Sequence, residues 1–382
     1  MAFSSPAPII ASRLVRFDEL SLVDLDAWSA LIAEAQAYDS ALLMPEFGAV
    51  ISQIRDDVRI AIISQGKRFV AVLPVHLRPG GLARPLGAPF SDYSGPIISP
   101  SADLNLEDIL NLTGLPAFES ATSVTPYPDP TTGDTALEHH VIRPGDMTAD
   151  EYIESRRQKH AKRFKNFRRL AKQFEREVGP LQLEWGRPSN SFLTQLFQIK
   201  SRQFAESGYL DITSSRESRR ILDAVAASEY GFCISLWSGD ELVSGHFGFR
   251  AGDSFHPWIA AFEPKWAPYS PGNLLLLNVL KHWDEMGLDC YDLATGHDHY
   301  KKYFANSARP TTTVFATGDG FQAQHRKLWH DLWVRAGAMK DGSLTGRLKR
   351  RMDQIAASEF NSVARMVHFL DAVKARAAGT KA

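Results

Sequence analysis

The sequence between Ser254 and Lys301 reads SFHPWIAAFEPKWAPYSPGNLLLLNVLKHWDEMGLDCYDLATGHDHYK. Residues 254–262 are mostly aromatic or apolar, which is typical of a strand. Residues 273–286 place leucines on a broad apolar helix face, and Gly287 is a typical C-cap for that helix. Residues 289–293 are a second short apolar run. Because a helix joins the two predicted strands, the pattern favours a parallel crossover between them.

A hairpin pattern precedes this stretch and has a counterpart early in the chain. Residues 60–77 and 233–250 each contain two β-rich runs joined by a short turn, with Gly66 or Gly239 in the turn. The helical stretches that precede these hairpins are residues 24–37 and 192–227. The repetition predicts two related α+β halves, although two hairpins can also resemble each other by chance.

The turn-rich residues 126–150 are the predicted junction of the two halves. In the second half, a turn into a helix at 294–304 and a last strand at 311–316 complete the order β-β-β-α-β-α-β. The predicted domains are residues 1–145, 146–321 and a helical C-terminal extension, 322–382.

Composition excludes several classes of protein. The chain has 382 residues, 44% of them hydrophobic and 23% charged, as in ordinary globular proteins. A net charge of −1 does not suit a polycation that coats nucleic acid, so nucleic acid is not an expected partner. No apolar run of about 18 residues predicts a membrane-spanning helix. The N-terminal residues lack the features of a signal peptide, and we therefore expect a cytoplasmic protein.

Charge is unevenly distributed along the chain. Residues 1–150 contain 9 Lys and Arg against 19 Asp and Glu, whereas residues 322–382 contain 12 against 5. Residues 151–178 contain ten Lys and Arg against four Glu, and their aromatic residues recur at helical spacing. They predict one long amphipathic helix whose basic face is either simply solvated or docks a polyanion. The basic run 347–351 could touch an anionic membrane, although solubility alone also explains it.

Three segments carry a family resemblance. They are Tyr269-Ser-Pro-Gly-Asn-Leu-Leu275, Tyr291-Asp-Leu-Ala-Thr-Gly-His-Asp-His-Tyr-Lys301 and Arg84-Pro-Leu-Gly-Ala-Pro-Phe-Ser-Asp-Tyr-Ser-Gly-Pro96. Together they resemble the GNAT (Gcn5-related N-acetyltransferase) superfamily, and within it the CelD-type (BioF2-like) branch found among bacterial polysaccharide-biosynthesis proteins. That branch usually has glycine where this chain has Ala294. A weaker resemblance links the chain to FemABX-type peptidyltransferases, which also pair two such halves.

The resemblance implies tandem GNAT-like domains, each a mixed, mostly antiparallel sheet flanked by helices. It also implies acetyl-CoA or another acyl-CoA as co-substrate, with no metal. A helix N-terminus presents unpaired N–H groups that suit the CoA pyrophosphate. The residues predicted to bind it are Ser270, Pro271, Gly272, Asn273 and Leu274. The alternative is an ordinary N-cap at the start of a core helix.

Acyl transfer to an amine needs a base, an oxyanion donor and an acid for the thiolate. His246 or His256 could be the base, since histidine titrates nearest neutral pH. Tyr300 could protonate the thiolate, as in many GNAT enzymes, and Asp292 could orient His299 or bind the acceptor amine. The residues predicted to bind substrate are Lys301, Trp258, Tyr269, Asp92 and Tyr93. For each of these side chains, ordinary core packing or capping is the alternative.

Other chemistries are weakly supported. His297 and His299 lack the further ligands that a zinc site needs, and no metal site is predicted. Cys233 and Cys290 lie in apolar strand patterns and are expected to be inert. The first half lacks the Ser-Pro-Gly helix start and the His-Tyr-Lys turn. We therefore expect it to be degenerate as a cofactor site and to shape the acceptor cleft through Asp92 and Tyr93.

Three functions follow as hypotheses. The first is an acyl-CoA-dependent N-acyltransferase, acetyl in the simplest case, that acts on an amino-sugar or a polysaccharide or envelope precursor. The second is a FemABX-like transferase that uses aminoacyl-tRNA. The third is a non-catalytic scaffold in a polysaccharide-synthesis assembly, with peripheral contact to membrane or to that machinery. The sequence leaves the oligomeric state open.

Overall fold

The computed structural model describes residues 10–124, 137–207, 211, 213, 215–295, 300–338 and 343–358. The chain packs as two compact units. Unit 1 contains the residues up to Leu137 together with Pro310–Ala357, and unit 2 contains Glu138–Arg309. Both units combine helices with a mixed, mostly antiparallel set of strands, so the predicted α+β class is confirmed.

The strands are β1 (Ile10–Val15), β2 (Val58–Gln65), β3 (Arg68–Leu77), β4 (Leu82–Pro85), β5 (Ile97–Ile98), β6 (Ala117–Val124), β7 (Leu137–Ile142), β8 (Gln182–Gly186), β9 (Gly231–Ser238), β10 (Glu241–Ala251), β11 (Ser254–Phe262), β12 (Cys290–Asp292) and β13 (Ser307–Thr317). The helices are α1 (Leu22–Ile32), α2 (Pro45–Ser52), α3 (Leu106–Thr113), α4 (Ala149–Lys159), α5 (Ala161–Glu177), α6 (Asn190–Ser207), α7 (Arg216–Ala227), α8 (Pro271–Lys281), α9 (Trp283–Met286), α10 (Lys301–Phe304), α11 (Phe321–Arg335) and α12 (Leu344–Ser358).

The two units repeat one succession of elements. Unit 1 runs β1-α1-α2-β2-β3-β4-α3-β6, and unit 2 runs β8-α6-α7-β9-β10-β11-α8-β12. Both contain the predicted antiparallel hairpin, β2–β3 or β9–β10. In both, the strand after the hairpin is joined through a helix to a strand with which it pairs in parallel. These parallel pairs are β4 and β6 in unit 1 and β11 and β12 in unit 2. The predicted tandem arrangement and the parallel crossover are therefore confirmed.

Local sequence signals explain the turns and ends of these elements. Gly66 and Gly239 adopt positive φ in the hairpin turns, and Gly287 ends α9 in the left-handed conformation. These positions favour glycine because it has no Cβ to clash. The predicted helix over residues 273–286 is divided into α8 and α9 at His282, whose backbone leaves the helical region.

The predicted single helix over residues 151–178 is wrong. The structure has two helices there, α4 and α5, separated at His160, whose φ of −132° and ψ of 40° are not helical. Both helices bury aromatic residues at helical spacing, so the pattern continues across the break. A periodicity read over many residues is too coarse to reveal one non-helical residue. The buried face of α5 consists of Phe164, Phe167, Leu170 and Phe174.

The last strand of each unit comes from an unexpected part of the chain. The predicted strand at 311–316 was expected to close the second half, but β13 pairs antiparallel with β6 of unit 1. In unit 2, β7 instead pairs antiparallel with β12. Which strands pair depends on which strand edges the tertiary fold brings together, and the sequence of one strand does not determine its partner.

The start of the C-terminal extension packs on unit 1. Arg326 donates to the carbonyl of Gly80, and the Lys349 ammonium contacts the carboxylates of Glu119 and Asp353. Asp353 also accepts a hydrogen bond from Arg84. The described residues of α11 and α12 therefore belong to this unit, and the predicted extension is helical here.

Candidate active site

A gap opens between the two parallel strands of unit 2. β11 and β12 pair only at Ser254–Cys290 and Phe255–Tyr291, although β11 continues to Phe262. Its other edge stays paired with β10 along its length. From His256 onward, no strand in the described part of the chain pairs with the β12-facing edge of β11. A ligand with its own amide groups could lie along such an edge.

Backbone groups of β11 point into this gap. The Glu263 N–H donates to β10 (3.1 Å), and hydrogen bonding alternates along an antiparallel strand. Ala260 and Phe262 therefore direct their N–H and C=O groups away from β10. From α6, Lys200 Nζ donates to the Ala260 carbonyl and Gln203 Nε2 to the Phe262 carbonyl, both at 3.0 Å. The N–H groups of Ala260 and Phe262 point the same way as these carbonyls.

The two candidate histidines lie on opposite faces of the sheet. His246 Nδ1 is 2.5 Å from the Tyr291 hydroxyl, whereas His256 Nδ1 is 3.7 Å from Asp292 Oδ1. Tyr291 and Asp292 are neighbours on β12, so their side chains point to opposite faces. Both histidines are buried. Only one of them can therefore face a substrate bound on a given side.

The environment of His246 makes it a poor base. Burial, together with the positive charges of Lys301 and Lys200, lowers the pKa of His246 to about 3. Burial raises the pKa of Tyr291 well above its usual value, and the charge of Tyr300 adds to this. At neutral pH both groups are therefore uncharged, and a hydrogen bond joins the Tyr291 hydroxyl and His246 Nδ1. Lys301 is itself buried and donates to the Thr295 carbonyl.

Asp292 holds the turn that follows β12. Its Oδ2 accepts a hydrogen bond from buried Arg309 (2.7 Å), and its Oδ1 accepts one from the Ala294 N–H (2.7 Å). Ala294, the departure from the family pattern, has a φ of +56°. Alanine thus adopts here the left-handed conformation that glycine would adopt without steric cost.

The N-terminus of α8 has the properties of an anion-binding site. Ser270 is the N-cap residue, but its side chain makes no capping hydrogen bond. A Cβ added to Gly272 would meet no atom within 4 Å, so the first turn is open. The Asn273 Oδ1 is buried and has no partner within the described residues. Since the two ends of an amide can be exchanged by rotation, Asn273 can offer a ligand either an acceptor or a donor.

The equivalent helix of unit 1 is closed to anions. Asn105 caps α3, and its side chain and that of Asp108 each accept a backbone N–H of the other residue. Glu107 and Asp108 add two acidic groups to the first turn. The acidic side chains of such a turn repel a phosphate, and side-chain oxygens already accept hydrogen bonds from its N–H groups. This contrast supports the expectation that only the second half carries a cofactor site.

Comparison with known proteins agrees with this geometry. The family model described as "Acetyltransferase (GNAT) domain" matches residues 161–302. No curated protein matches the sequence.

The chain contains a GNAT domain. That domain, residues 161–302, lies within unit 2, and the fold of the chain as a whole is similar to that of FemX.

Solved structures resemble this chain in fold alone. FemX is 11% identical with a TM-score of 0.51, and the match covers 80% of this chain and 98% of FemX. A tandem GNAT protein from the clavulanic acid biosynthesis pathway is 10% identical with a TM-score of 0.45, covering 82% of this chain and 100% of that protein.

Aromatic residues flank the open end of the GNAT domain. The Tyr269 hydroxyl donates to Glu177 at the end of α5 (2.9 Å), and its ring packs edge-on against Phe174. Trp266 also packs against Phe174, and its Nε1 is buried without a partner among the described residues. Trp258 instead stacks on Phe249 in the sheet. Tyr269 is therefore beside the α8 N-terminus, as predicted for a binding residue, whereas Trp258 is in the sheet.

Some predicted site residues cannot be placed in the GNAT domain. His299, with His297, lies outside the described residues. Asp92 and Tyr93 belong to unit 1, where Tyr93 is buried, and their role in an acceptor cleft stays a prediction. Among the described residues, no group of three or more His, Cys, Asp or Glu side chains could hold a metal ion.

Three residues at or near the candidate site were not predicted from the sequence. Tyr291 was predicted to lie in a strand and in a segment of family resemblance, but no site role was predicted for it, although its neighbour Asp292 was singled out. Lys200 and Arg309 contact the site from α6 and from β13, far away in sequence. A polar residue within an apolar strand was the available signal for Tyr291. No local signal marks Lys200 or Arg309, because their contacts depend on tertiary packing.

Proposed function

We propose that this protein is an acyl-CoA-dependent N-acyltransferase, with acetyl-CoA as the simplest donor. The gap between β11 and β12, beside the uncapped N-terminus of α8, is the observation that carries the proposal. A thioester donor needs a place for a diphosphate and a groove for an amide-containing arm, and this corner of unit 2 offers both. In unit 1 the equivalent helix α3 is closed by the Asn105–Asp108 capping box, and β4, the strand equivalent to β11, is only four residues long.

Each end of the donor has a counterpart in the chain. The first turn of α8, with Gly272 and Asn273, suits the diphosphate, since N–H groups and the helix dipole favour anions there. Pro271 begins the helix without an N–H of its own, and Leu274 anchors it in the core. The N–H groups of Ala260 and Phe262 suit the arm and the thioester carbonyl oxygen, where negative charge develops during transfer.

The transfer forms a C–N bond to the acceptor amine and breaks the C–S bond of the thioester. The amine must lose a proton, and we assign this proton to His256, which has a carboxylate within 3.7 Å. His246, with a pKa near 3, is assigned to positioning Tyr291. Tyr300 at the start of α10 returns a proton to the thiolate. The Asp292–Arg309 ion pair fixes the turn between these groups.

The proposed acceptor rests on the family resemblance and on one buried cation. An amino-sugar or a polysaccharide or envelope precursor is supported by the resemblance of residues 84–96, 269–275 and 291–301 to the CelD-type branch. Lys301, buried beside the gap, suits an acceptor hydroxyl or an anionic substituent. The acceptor screen should therefore begin with amino-sugars and their nucleotide-linked forms.

Calorimetric titration with acetyl-CoA and longer acyl-CoA thioesters tests the donor site. We expect sub-millimolar binding, and no heat with any thioester would contradict the proposal. Turnover then separates the two histidines. His256→Gln should lower kcat by about 100-fold or more and remove a basic limb from the pH profile. His246→Gln should mainly change KM, and equal loss of kcat in both variants would contradict the assignment.

A FemABX-like transferase that uses aminoacyl-tRNA is the second candidate, and the surface of α5 favours it. Lys162, Lys165, Arg168 and Lys172 are exposed and form no ion pair within the described residues. Four such cations along one helix suit a phosphate backbone. Strongly salt-dependent tRNA binding, lost on replacing these four residues by glutamine, would support this candidate. Absence of tRNA binding at low salt would remove it.

A further inference from the structure

The outward face of α11 is apolar, which is the reverse of a normal surface helix. Phe321, Leu328, Trp329 and Leu332 are exposed to 84, 57, 52 and 45%, respectively. At 100° per residue, these four positions share one face of the helix. Single exposed apolar residues are common, but a continuous face of large ones marks an interaction surface.

The opposite side of α11 attaches the helix to unit 1. Ala323 is buried there, and the ring of His330 stacks on Phe315 at 3.7 Å. Arg326 donates to the carbonyls of Gly80 and Pro79. The apolar face therefore cannot be the packing face of this helix, since that face is already used.

The helix α12 repeats this arrangement. Leu344, Leu348 and Met352, spaced four residues apart, are exposed to 64, 38 and 41%. The opposite side carries Lys349, which binds Glu119 and Asp353. Ile355, at the end of the stripe, is buried, so the exposed stripe extends over the first three turns.

Positive charge accompanies both stripes. Arg335 on α11 and Arg347 on α12 are exposed beside the stripes, and Lys327 and Arg350 are exposed further round the two helices. Of the two described carboxylates on these helices, Asp353 is held by Arg84 and Lys349, and Asp331 is partly exposed. The surface that contacts solvent is thus apolar with a cationic border.

We propose that α11 and α12 dock unit 1 on an anionic lipid bilayer. Aromatic and leucine side chains of such helices enter the boundary between headgroups and acyl chains, while flanking Lys and Arg contact anionic headgroups. A second copy of this chain fits less well, because two faces with cationic borders would repel each other. None of the helices in the described part of the chain is both long and apolar enough to span a bilayer, so the contact is peripheral. This proposal is independent of the acyltransferase reaction.

Co-sedimentation of the full-length protein with vesicles tests the proposal. One set of vesicles contains equal amounts of phosphatidylglycerol and phosphatidylcholine, and the other contains phosphatidylcholine alone. We expect binding to the first set, much weaker binding to the second, and loss of binding as salt rises. Equal binding to both sets, or binding to neither, would overturn the proposal.

Two variants separate the apolar and cationic contributions. Trp329→Glu with Leu332→Glu should abolish sedimentation with the anionic vesicles. Arg335→Gln with Arg347→Gln should weaken it about 30-fold, since each cation near an anionic surface contributes roughly fivefold. The matched control is Leu22→Glu with Val23→Glu, two residues of α1 exposed to 79 and 71% outside this surface. This control should bind as the unmodified protein does, and equal loss in the control would overturn the assignment.

Two further measurements distinguish other occupants of this face. Light scattering without vesicles should give the same mass for the protein and for the Trp329→Glu, Leu332→Glu variant. A dimer that the variant abolishes would identify the face as a contact between copies. In a Leu332→Cys variant the added thiol should react quickly with a polar maleimide, because position 332 is exposed. The two native cysteines, Cys233 and Cys290, are buried and should react slowly. Protection of the added thiol without vesicles would show that protein already covers the face, and would overturn the proposal.

Discussion

Ala294 stores backbone strain next to the candidate site. Its φ of +56° is left-handed, which costs a residue with a Cβ about 1–2 kcal/mol. The carbonyl of Ala294 accepts the His140 N–H and its own N–H donates to Asp292, so both sides of the peptide are held. The strain is therefore imposed by the ion-paired turn rather than by the residue itself.

Replacing Ala294 by glycine should relieve this strain. We expect Ala294→Gly to raise the free energy of unfolding by up to about 1 kcal/mol, because the gain exceeds the added flexibility of the unfolded chain. Ala305→Gly is the control, since Ala305 has a φ of −71° and should lose stability on the same change. Urea unfolding measures both. A less stable Ala294→Gly variant would show that the methyl group has a packing role.

At the scale of single elements, the starts of α3 and α8 illustrate how equivalent helices diverge. The α3 start is satisfied by the Asn105–Asp108 capping box, whereas Ser270 leaves the first turn of α8 without a side-chain cap. A helix start that lacks a cap is less stable by roughly 1 kcal/mol. A bound anion restores that stability, so the open start couples the fold of unit 2 to its ligand.

A carboxylate placed at the α8 start should block the donor site. Gly272→Glu is expected to weaken acetyl-CoA binding by about tenfold or more through repulsion, while changing the free energy of unfolding by less than about 1 kcal/mol. The small effect on folding follows from the open space around Gly272. Ser191→Glu is the matched control, because it adds the same charge to the first turn of α6. Calorimetry that shows equal affinity for both variants would contradict the proposed site.

The helix α4 shows at the same scale how a basic segment takes a structural role. Arg156, near the end of α4, donates to the carbonyls of Tyr303 and Lys302, and Tyr152 donates to that of Phe304. These bonds satisfy the carbonyls of the short helix α10, which cannot satisfy them itself. The basic segment is therefore partly structural: Arg156 is buried, whereas the exposed cations of α4 and α5 are available to a partner.

For the whole molecule, two buried neutral histidines make stability depend on pH. In unit 1, His76 lies between the Asp57 carboxylate (2.9 Å) and the Gly87 N–H, which donates to its Nε2 (2.9 Å). Burial lowers the pKa of His76 to about 4, against an ordinary 6.5, and that of His246 in unit 2 to about 3. Between these values and 6.5 the unfolded chain binds protons that the native protein does not bind. Stability is therefore complete above about pH 6.5 and falls as the pH is lowered toward 4.

The urea midpoint should fall accordingly between pH 7 and pH 4.5. For His76, the full shift corresponds to roughly 3 kcal/mol of unfolding free energy. His76→Gln should remove about one proton from the pH dependence of the unfolding of unit 1. A pH dependence unaltered by His76→Gln would show that His76 titrates alike in both states.

Much of the architecture could be predicted from local patterns. Alternation and turn glycines predicted both hairpins, and the leucines of residues 273–286 predicted the helix between two parallel strands. The candidate site was predicted less completely. Ser270 and Gly272 lie at the predicted helix start, and their role in binding a cofactor stays a prediction. The opposite faces of His246 and His256 depend on register, which a β-bulge between Phe247 and Gly248 shifts.

The sequence by itself determined where helices, strands and turns form, because periodicity, capping residues and glycines act over a few neighbours. Only the tertiary structure decided that β13 completes unit 1 and β7 completes unit 2, that Arg309 neutralises Asp292, and that burial makes His246 a weak base. These outcomes depend on which edges and charges meet across long stretches of chain. Desolvation and pairing are properties of the packed environment, and no local sequence pattern encodes them.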